Sequence, residues 1–338
     1  MPRPLSEGTD YHDDWPMRAL ICGVSGQDGA LLAQLLLGKG YTVIGTSRDA
    51  QTGSFSNLQK MGILHRIQLE SMSTHDFRSV LQMLRKVEPN EVYNLAGQTS
   101  VGLSFGQPVE TLDSIITGTL NLLEGIRFLG LPVRFYSAGS GECYGDTDAD
   151  GADEVSQFRP RSPYAVAKAA AYWLVANYRE AYRIHASTGI LFNHESPYRP
   201  HRFVTRKIIS AACRIHLGSD EKLTLGNIEI RRDWGWAPEY VDAMWRMLQS
   251  DTADDYVIAT GVSHSLEEFV RQAFAIFDLD WKAHTVFSSA LLRPTDISDG
   301  KGNAGKAARM LGWKAQSNMH EVVALMARAE LDELSRKN

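Results

Sequence analysis

The stretch from Met17 to Tyr41, MRALICGVSGQDGALLAQLLLGKGY, decides the fold. A short apolar run leads into the glycines Gly23, Gly26 and Gly29, and an apolar-periodic segment and a second β-branched run follow. This pattern predicts a strand, a tight turn, a helix and a second strand. In such a βαβ unit the glycines permit the turn, let backbone amides approach a pyrophosphate and allow close helix packing. The stretch therefore predicts dinucleotide binding.

Two residues at the end of the second strand bear on the choice of dinucleotide. Asp49 lies 20 residues after Gly29, where a carboxylate would bond the ribose 2′-hydroxyl of NAD. Arg48 stands beside it, and a guanidinium there would pair with the 2′-phosphate of NADP. Both could also be solvated turn residues, so the residues themselves leave the choice open.

The same alternation of helix and strand continues along the chain. Helical patterns over 75–87 and 110–130 lead into the strand-like runs EVYNLAG (91–97) and VRFYSAGS (133–140). Strands that alternate with helices predict an α/β fold with a doubly wound, Rossmann-like parallel sheet. After residue 190 the chain is richer in loops, but DYVIATG (255–261) is again typical of a strand.

We therefore expect three regions. Residues 1–16 form a mobile leader, and residues 17–190 form a dinucleotide-binding domain that also holds the catalytic residues. Residues 191–338 form mainly a smaller α/β substrate-binding domain, interleaved with the sheet domain.

Composition excludes several classes of protein. The 338 residues include 40 acidic and 35 basic ones, spread without a basic block, which argues against nucleic-acid binding. The three cysteines are too few and scattered for a disulfide framework or a metal site, so we expect no metal and a cytoplasmic location. No apolar run reaches the ~18 residues that span a bilayer.

Tyr164 and Lys168 form a Tyr-x-x-x-Lys pair in SPYAVAKAAAYW (162–173). On a helix these positions share one face. An ammonium there would lower the pKa of the phenol, which could then take a proton from a substrate hydroxyl as hydride leaves the same carbon. A half-exposed helix face is the alternative explanation.

Several longer motifs extend this order of features. They include YNLAGQTSVGLSF (93–105), GILFNHESP (189–197), FVTRKI (203–208) and LGNIEIRRDWGWAPEYVDAMW (225–245). Together with the glycine turn and the Tyr/Lys helix, they make the chain resemble the GDP-mannose 4,6-dehydratases of the extended short-chain dehydrogenase/reductase family. The resemblance covers about residues 17 to 330. It implies an NADP-dependent hydro-lyase that converts GDP-mannose to GDP-4-keto-6-deoxymannose by internal hydride transfer, with NAD less favoured. A related nucleotide-sugar epimerase or 4-ketoreductase is the alternative.

The resemblance also implies roles for individual residues and a homodimer or homotetramer that pairs helices around 111–128 and 164–182. The implied catalytic residues are Ser140, Glu142, Tyr164 and Lys168. Glu142 is the expected base at C5 of the sugar. The implied cofactor-binding residues are Gly23, Gly26, Gln27, Asp28, Gly29, Arg48, Leu95 and Ala96, with Tyr164 and Lys168. The implied substrate-binding residues are Gln98, Thr99, Asn193, Val204, Lys207, Arg232, Arg293 and Asp296.

Three positions depart from the family pattern. Arg48 and Asp49 stand where relatives usually carry two arginines, and Ser71 stands where an adenine-contacting aspartate is usual. Asp296 replaces a frequent glutamate. These departures put the NADP preference and the exact sugar in question.

Overall fold

The structure is a computed structural model that describes residues 16–336. Apart from Pro16, the predicted leader lies outside the described residues. The strands are β1 (Arg18–Cys22), β2 (Thr42–Ser47), β3 (Gln68–Ser71), β4 (Glu91–Asn94), β5 (Arg134–Ala138), β6 (His185–Leu191), β7 (Asn193–Glu195), β8 (Leu223–Leu225), β9 (Arg231–Trp236), β10 (Tyr256–Ile258), β11 (Ser263–Ser265), β12 (Thr285–Phe287) and β13 (Asp299–Gly300).

The helices connect these strands, and one of them contains a π-helical turn at Asp113–Thr117, between α5 and α6. The α-helices are α1 (Gln27–Gly38), α2 (Ser56–Lys60), α3 (Phe77–Val87), α4 (Val101–Gly106), α5 (Pro108–Leu112), α6 (Gly118–Leu129), α7 (Pro163–Tyr182), α8 (Val204–His216), α9 (Ala237–Gln249), α10 (Leu266–Ala275), α11 (Trp281–His284), α12 (Gly305–Leu311) and α13 (Met319–Ser335).

Seven strands form one parallel sheet in the order β10-β6-β5-β4-β1-β2-β3. Strand order reverses at β1, which lies between β2 and β4, as in a doubly wound fold. The predicted fold class is confirmed. The run at 255–261 supplies the edge strand β10, beside β6, so the sheet draws on both halves of the chain.

Both faces of the sheet are covered, because its strands are apolar on both sides. Helices α1 and α9 bury one face together with the Tyr93 and Tyr136 rings. Helices α3, α6 and α7 bury the other face around Leu20, Val92 and Phe135. Burial on both faces explains the continuous Val, Ile and Leu runs in the sequence.

The later part of the chain builds a second core, in which α8, α10 and α13 pack together around Ile208, Phe269 and Val323. A small sheet joins β11, β9, β13 and β7, while β8 pairs with β12. In the described part of the chain, no helix is long and apolar enough to cross a membrane. The small sheet and the loops after β6 face the carboxyl ends of the large parallel sheet, which is where ligands bind in open α/β folds.

Candidate active site

A cleft of about 1080 Å³ opens between the carboxyl ends of the large sheet and the later part of the chain. All twenty site residues that the sequence and the resemblance pointed to line this cleft. They come from the turn after β1, the ends of β2, β4 and β5, helices α7 and α8, strand β9 and the loop before β13. The cleft therefore brings together residues that are up to 273 positions apart, from Gly23 to Asp296.

Backbone conformation and close contacts within the protein require glycine at two positions of the turn. Gly23 has a φ of +87°, a conformation that disfavours side chains, and its backbone packs on Leu95 and Ala96. A Cβ at Gly29 would lie 2.3 Å from the Gly23 carbonyl oxygen. At Gly26, in contrast, φ is −70° and an added Cβ would meet nothing closer than 3.5 Å. The protein alone does not require Gly26 to be glycine, which fits close approach by a ligand.

Gln27 and Asp28, at the start of α1, are bonded to the segment after β6. Asp28 Oδ2 lies 2.9 Å from His194 Nε2, and Gln27 Nε2 donates to the His194 carbonyl oxygen at 3.2 Å. Ser196 Oγ donates to Gln27 Oε1 at 2.8 Å. The turn expected to hold the cofactor is thus fixed to the segment expected to hold the sugar nucleotide.

Arg48 and Asp49 point to different environments. Arg48 is exposed and lines the cleft, whereas Asp49 does not. The Asp49 carboxylate accepts hydrogen bonds from Thr52 Oγ1 at 2.6 Å and from the Gln51 and Thr52 amides at 2.8 and 3.0 Å. Ser71 Oγ accepts from the Ala50 amide at 3.0 Å, so it too stabilises this loop. Of the two residues, Arg48 is the one that faces the cleft.

Tyr164 and Lys168 lie on one face of α7, whose N-terminus is capped by Ser162 and begins with Pro163. Lys168 Nζ donates to the Ala138 carbonyl oxygen at 2.6 Å and lies 5.8 Å from the centroid of the Tyr164 ring. Both side chains are buried. Burial lowers the pKa of Lys168 to about 8, although the Cys143 and Asp28 side chains oppose this.

The largest influence on the Tyr164 pKa is burial, and not the Lys168 ammonium. Burial raises the pKa of Tyr164, and the opposing contribution comes first from a hydrogen bond with the Ser140 hydroxyl. Ser140 also accepts from the Glu142 amide at 3.3 Å, because it begins a 3₁₀ turn after β5. Ser140 therefore favours the Tyr164 phenolate more than Arg199 does, the other group that lowers this pKa.

Glu142 faces a buried arginine. Arg232 Nε lies 3.6 Å from Glu142 Oε1, and Arg232 Nη2 donates to Asp296 Oδ1 at 2.9 Å. Arg293 Nη1 donates to the same Asp296 oxygen at 3.1 Å. Arg232 Nη1 is bonded to the Ile297 and Arg231 carbonyl oxygens. Arg232 therefore joins the expected base to the expected nucleotide-binding residues, a link that the sequence analysis missed.

The other expected substrate residues differ in how strongly the protein holds them. Lys207 Nζ donates to the Thr224 carbonyl oxygen at 2.7 Å, and Gln98 Nε2 donates to the Ser100 carbonyl oxygen at 2.8 Å. Thr99 is exposed in the cleft, and Asn193 and Val204 lie on opposite sides of the loop that joins β7 to α8.

Two charged residues in and just after the NHESP segment, Glu195 and Arg199, were not among the predicted site residues. Glu195 is 1% exposed and accepts a hydrogen bond from Thr205 Oγ1 at 2.6 Å, and Arg199 Nε lies 3.0 Å from the same Glu195 oxygen. The sequence did contain a signal for this ion pair, since both charged residues closely follow an apolar strand. Buried charges are retained only when they are paired. Cys143 is buried, and burial raises the pKa of its thiol to about 12.

Comparisons with known proteins converge on one family. The family described as GDP-mannose 4,6 dehydratase matches residues 20–326. GDP-mannose 4,6 dehydratase 1 of Arabidopsis thaliana is 43% identical over 329 residues, which cover 94% of this chain and 91% of the relative. The GDP-mannose 4,6-dehydratase of Sinorhizobium fredii strain HH103 is 43% identical over 343 residues, covering 94% and 97%.

Solved structures of more distant proteins share the fold. A dTDP-glucose 4,6-dehydratase from Bacillus anthracis, in complex with NAD, superposes with a TM-score of 0.81 at 17% identity, covering 95% of this chain and 98% of that one. RMD from Pseudomonas aeruginosa, complexed with NADPH, gives 0.77 at 23% identity, covering 94% and 99%. These likenesses support the architecture described above.

Proposed function

The chain belongs to the GDP-mannose 4,6-dehydratase family, and from this premise we propose how its cleft carries out the reaction. The chain is a hydro-lyase that converts GDP-mannose to GDP-4-keto-6-deoxymannose. One observation carries the proposed roles: Ser140, Glu142, Tyr164 and Lys168 line the same cleft as the glycine turn. An epimerase or ketoreductase would not need Glu142 for elimination.

The cofactor is a nicotinamide dinucleotide, and we propose that it is NADP. The glycine turn fits a pyrophosphate, because Gly26 leaves room for close approach and the first amides of α1 are free of helical partners. Arg48 lines the cleft at the end of β2, whereas the carboxylate of Asp49 is held by Thr52 and Gln51. A cation that lines the cleft, beside a carboxylate that does not, favours the 2′-phosphate.

The catalytic residues divide the proton transfers between them. The glycine turn, Tyr164 and Lys168 would hold the nicotinamide dinucleotide, which would supply a hydride acceptor for C4 and a hydride donor for C6. Tyr164 acts as a phenolate, which Ser140 stabilises by hydrogen bonding, and it becomes a neutral phenol when it takes the O4 proton. Lys168, anchored on the Ala138 carbonyl oxygen, keeps two further donors for the cofactor ribose.

Glu142 carries out the elimination. Oxidation at C4 makes the C5 proton acidic, and Glu142 removes it. The proton passes to the departing C6 hydroxyl, which leaves as water, and C5 regains a proton from solvent when hydride reaches C6. The product therefore has a ketone at C4, a methyl group at C6 and one water fewer than the substrate.

The sugar nucleotide is held by cations at the other end of the cleft. Lys207, Arg232 and Arg293 line this end, and guanidinium and ammonium groups suit a pyrophosphate. Residues 17–190 supply the cofactor side and residues 191–338 mainly the substrate side. All three cysteines are unpaired, which supports a reducing compartment such as the cytosol.

The chain forms a homodimer or homotetramer through α5, α6 and α7 in this proposal. Val109 is 78% exposed, Phe128 66% and Trp173 63% on these helices, and exposed apolar groups of this size favour association. Light scattering of the purified chain gives the number of subunits. A monomer would contradict the proposed homodimer or homotetramer.

Incubation with GDP-mannose tests the function. The purified chain, supplied with catalytic NADP and no external reductant, is expected to give a product one water lighter by mass spectrometry. Product of unchanged mass would mean epimerisation, and a requirement for stoichiometric reductant would mean ketoreduction; either result would contradict the proposal.

A further inference from the structure

Asp28 and His194 form an ion pair beneath the glycine turn, with Nε2 and Oδ2 2.9 Å apart. We propose that His194 is a positioning residue for the cofactor: as an imidazolium it cancels the charge of Asp28, so that the turn accepts a pyrophosphate, and it ties this turn to the segment that carries Asn193. The inference rests on the proposed binding of a nicotinamide dinucleotide at this turn.

The contacts of His194 require a charged ring. Its Nε2 faces Asp28 Oδ2, and its Nδ1 lies 2.7 Å from the Phe192 carbonyl oxygen. Neither oxygen can donate a hydrogen bond, so both ring nitrogens carry a proton. The ring stacks on Tyr240 with centroids 4.7 Å apart, and the side chain is only 10% exposed. His194 is therefore held in one orientation.

The groups around His194 support this charge. Burial and Arg199 lower its pKa, but Asp28 opposes both, and the net pKa of His194 is raised. Glu195, the next residue, is itself paired with Arg199 and bonded to Thr205. From α9, His194 meets the neutral Tyr240 ring.

Asp28 has its own set of neighbours. Burial raises its pKa, but His194, together with Gln27 and Arg199, lowers it to about 2. Lys168 of α7 and Tyr136 of β5 also lie within electrostatic reach of this carboxylate. Asp28 is thus an anion throughout the physiological range.

The position of Asp28 makes its charge matter for an anionic ligand. It is the second residue of α1, its side chain is 23% exposed, and it lines the cleft beside Gly26 and Gly29. The free amides there attract phosphate, while an uncompensated carboxylate in the same turn would repel it. Protonated His194 removes that repulsion and leaves the amides effective.

The same pair links the two sides of the cleft. Gln27 is bonded to both the His194 carbonyl oxygen and Ser196 Oγ, and Asn193 directly precedes His194. A cofactor seated on the turn therefore stabilises the segment that forms the sugar-nucleotide side. This linkage predicts that each ligand strengthens the binding of the other.

Fluorescence titration with NADPH tests the proposal on four proteins: the wild type, Asp28→Asn, His194→Gln and the double variant. At about pH 7, His194→Gln is expected to weaken NADPH binding about tenfold, because it leaves Asp28 uncompensated. The double variant, which removes both charges, is expected to bind NADPH at least about threefold more tightly than His194→Gln. A merely structural role would make the double variant at least as weak as His194→Gln, and that result overturns the proposal.

A pH series provides the second readout. The pKa of His194 is raised above the ordinary histidine value, so wild-type affinity for NADPH is expected to fall with rising pH only above that ordinary value, as His194 loses its proton, and Asp28→Asn is expected to show a smaller fall. An equal loss of NADPH affinity in the wild type and in Asp28→Asn overturns the proposal. This comparison does not require His194→Gln to fold. His185→Gln is the matched control, since His185 contacts the Ser250 carbonyl oxygen away from the cleft and should bind NADPH as the wild type does.

The coenzymes separate this inference from the proposed function. NADH has the same pyrophosphate without the 2′-phosphate, so the order of the four proteins should be the same with NADH. Tighter binding of NADH than of NADPH would contradict the proposed preference for NADP. The role of His194 would still be decided by the order of affinities among the four proteins.

Discussion

Arg232 Nε lies 3.6 Å from Glu142 Oε1, and the two side chains are only 6% and 14% exposed. The same guanidinium bonds Asp296 at 2.9 Å. Two carboxylates in the cleft thus contact one buried cation, and Asp296 is also paired with Arg293. The neighbouring Arg231 also pairs with two carboxylates, Glu268 and Asp299, but its side chain is 43% exposed.

Replacement of these two arginines should therefore have different costs. Arg232→Met leaves the largely buried Glu142 without its cation and leaves Asp296 paired with Arg293 alone, and the free energy of unfolding is expected to fall by about 3 kcal/mol. Arg231→Met is expected to cost less than ~1 kcal/mol, because solvent screens exposed pairs. Urea unfolding of both variants gives the two values. Equal losses would mean that Arg232 is not the structural centre of this cluster.

Cofactor choice should depend on Arg48 and not on Asp49. Arg48→Ala is expected to weaken NADPH binding about tenfold and to leave NADH binding unchanged, because only NADPH carries the phosphate that pairs with the guanidinium. Asp49→Asn keeps an acceptor for the Thr52 and Gln51 amides and should change neither affinity by more than about threefold. The measurement is a titration of each variant with both coenzymes. A selective loss of NADH binding in Asp49→Asn would identify Asp49 as the ribose ligand.

Features that depend on local sequence were predictable here. The glycine turn, the parallel sheet and the shared face of Tyr164 and Lys168 follow from spacing and periodicity. The direction of Asp49 also had a local signal, since Asp and Thr three residues apart commonly bond within one turn.

Contacts between distant segments were not predictable in the same way. Asp28 and His194 are 166 residues apart, and Arg232 and Asp296 are 64 apart. The sequence around one residue of such a pair does not indicate the other residue, because the pairing depends on how the two halves of the chain pack. The Tyr164 pKa illustrates the consequence: helical spacing indicated an effect of Lys168, whereas burial and Ser140 determine it.

Ser140 should control the pH dependence of the first oxidation. Its hydrogen bond lowers the Tyr164 pKa, so Ser140→Ala is expected to raise that pKa further and to slow C4 oxidation at neutral pH. A base works deprotonated, so the rate should recover as pH rises, and the rising limb of the pH profile should move to higher pH than in the wild type. Ser140→Thr keeps the hydroxyl and serves as the control. Single-turnover reduction of the cofactor at 340 nm, about where reduced nicotinamides absorb, follows this step. An unshifted limb in Ser140→Ala would remove Ser140 from this role.

Glu142 separates a dehydratase from 4-epimerase and 4-ketoreductase relatives, because epimerisation or reduction at C4 needs no base at C5. Glu142→Gln keeps the size of the side chain but cannot accept a proton, so C4 oxidation is expected to proceed while water loss falls by at least about a thousandfold. Reduced cofactor should then accumulate in the variant and not in the wild type.

Isotope labelling gives the same residue a direct chemical test. Product made by the wild type in deuterated water should carry deuterium at C5, because C5 regains its proton from solvent, while the C6 methyl group should carry the hydrogen that began at C4. Tyr164→Phe is the matched control: it lacks the O4 proton acceptor, so neither oxidation nor C5 exchange should occur although GDP-mannose still binds. NMR spectroscopy of the product locates both labels. If the native product lacks deuterium at C5, or if Glu142→Gln dehydrates at the native rate, then Glu142 is not the base, and the ion pair with Arg232 serves to hold the cleft together.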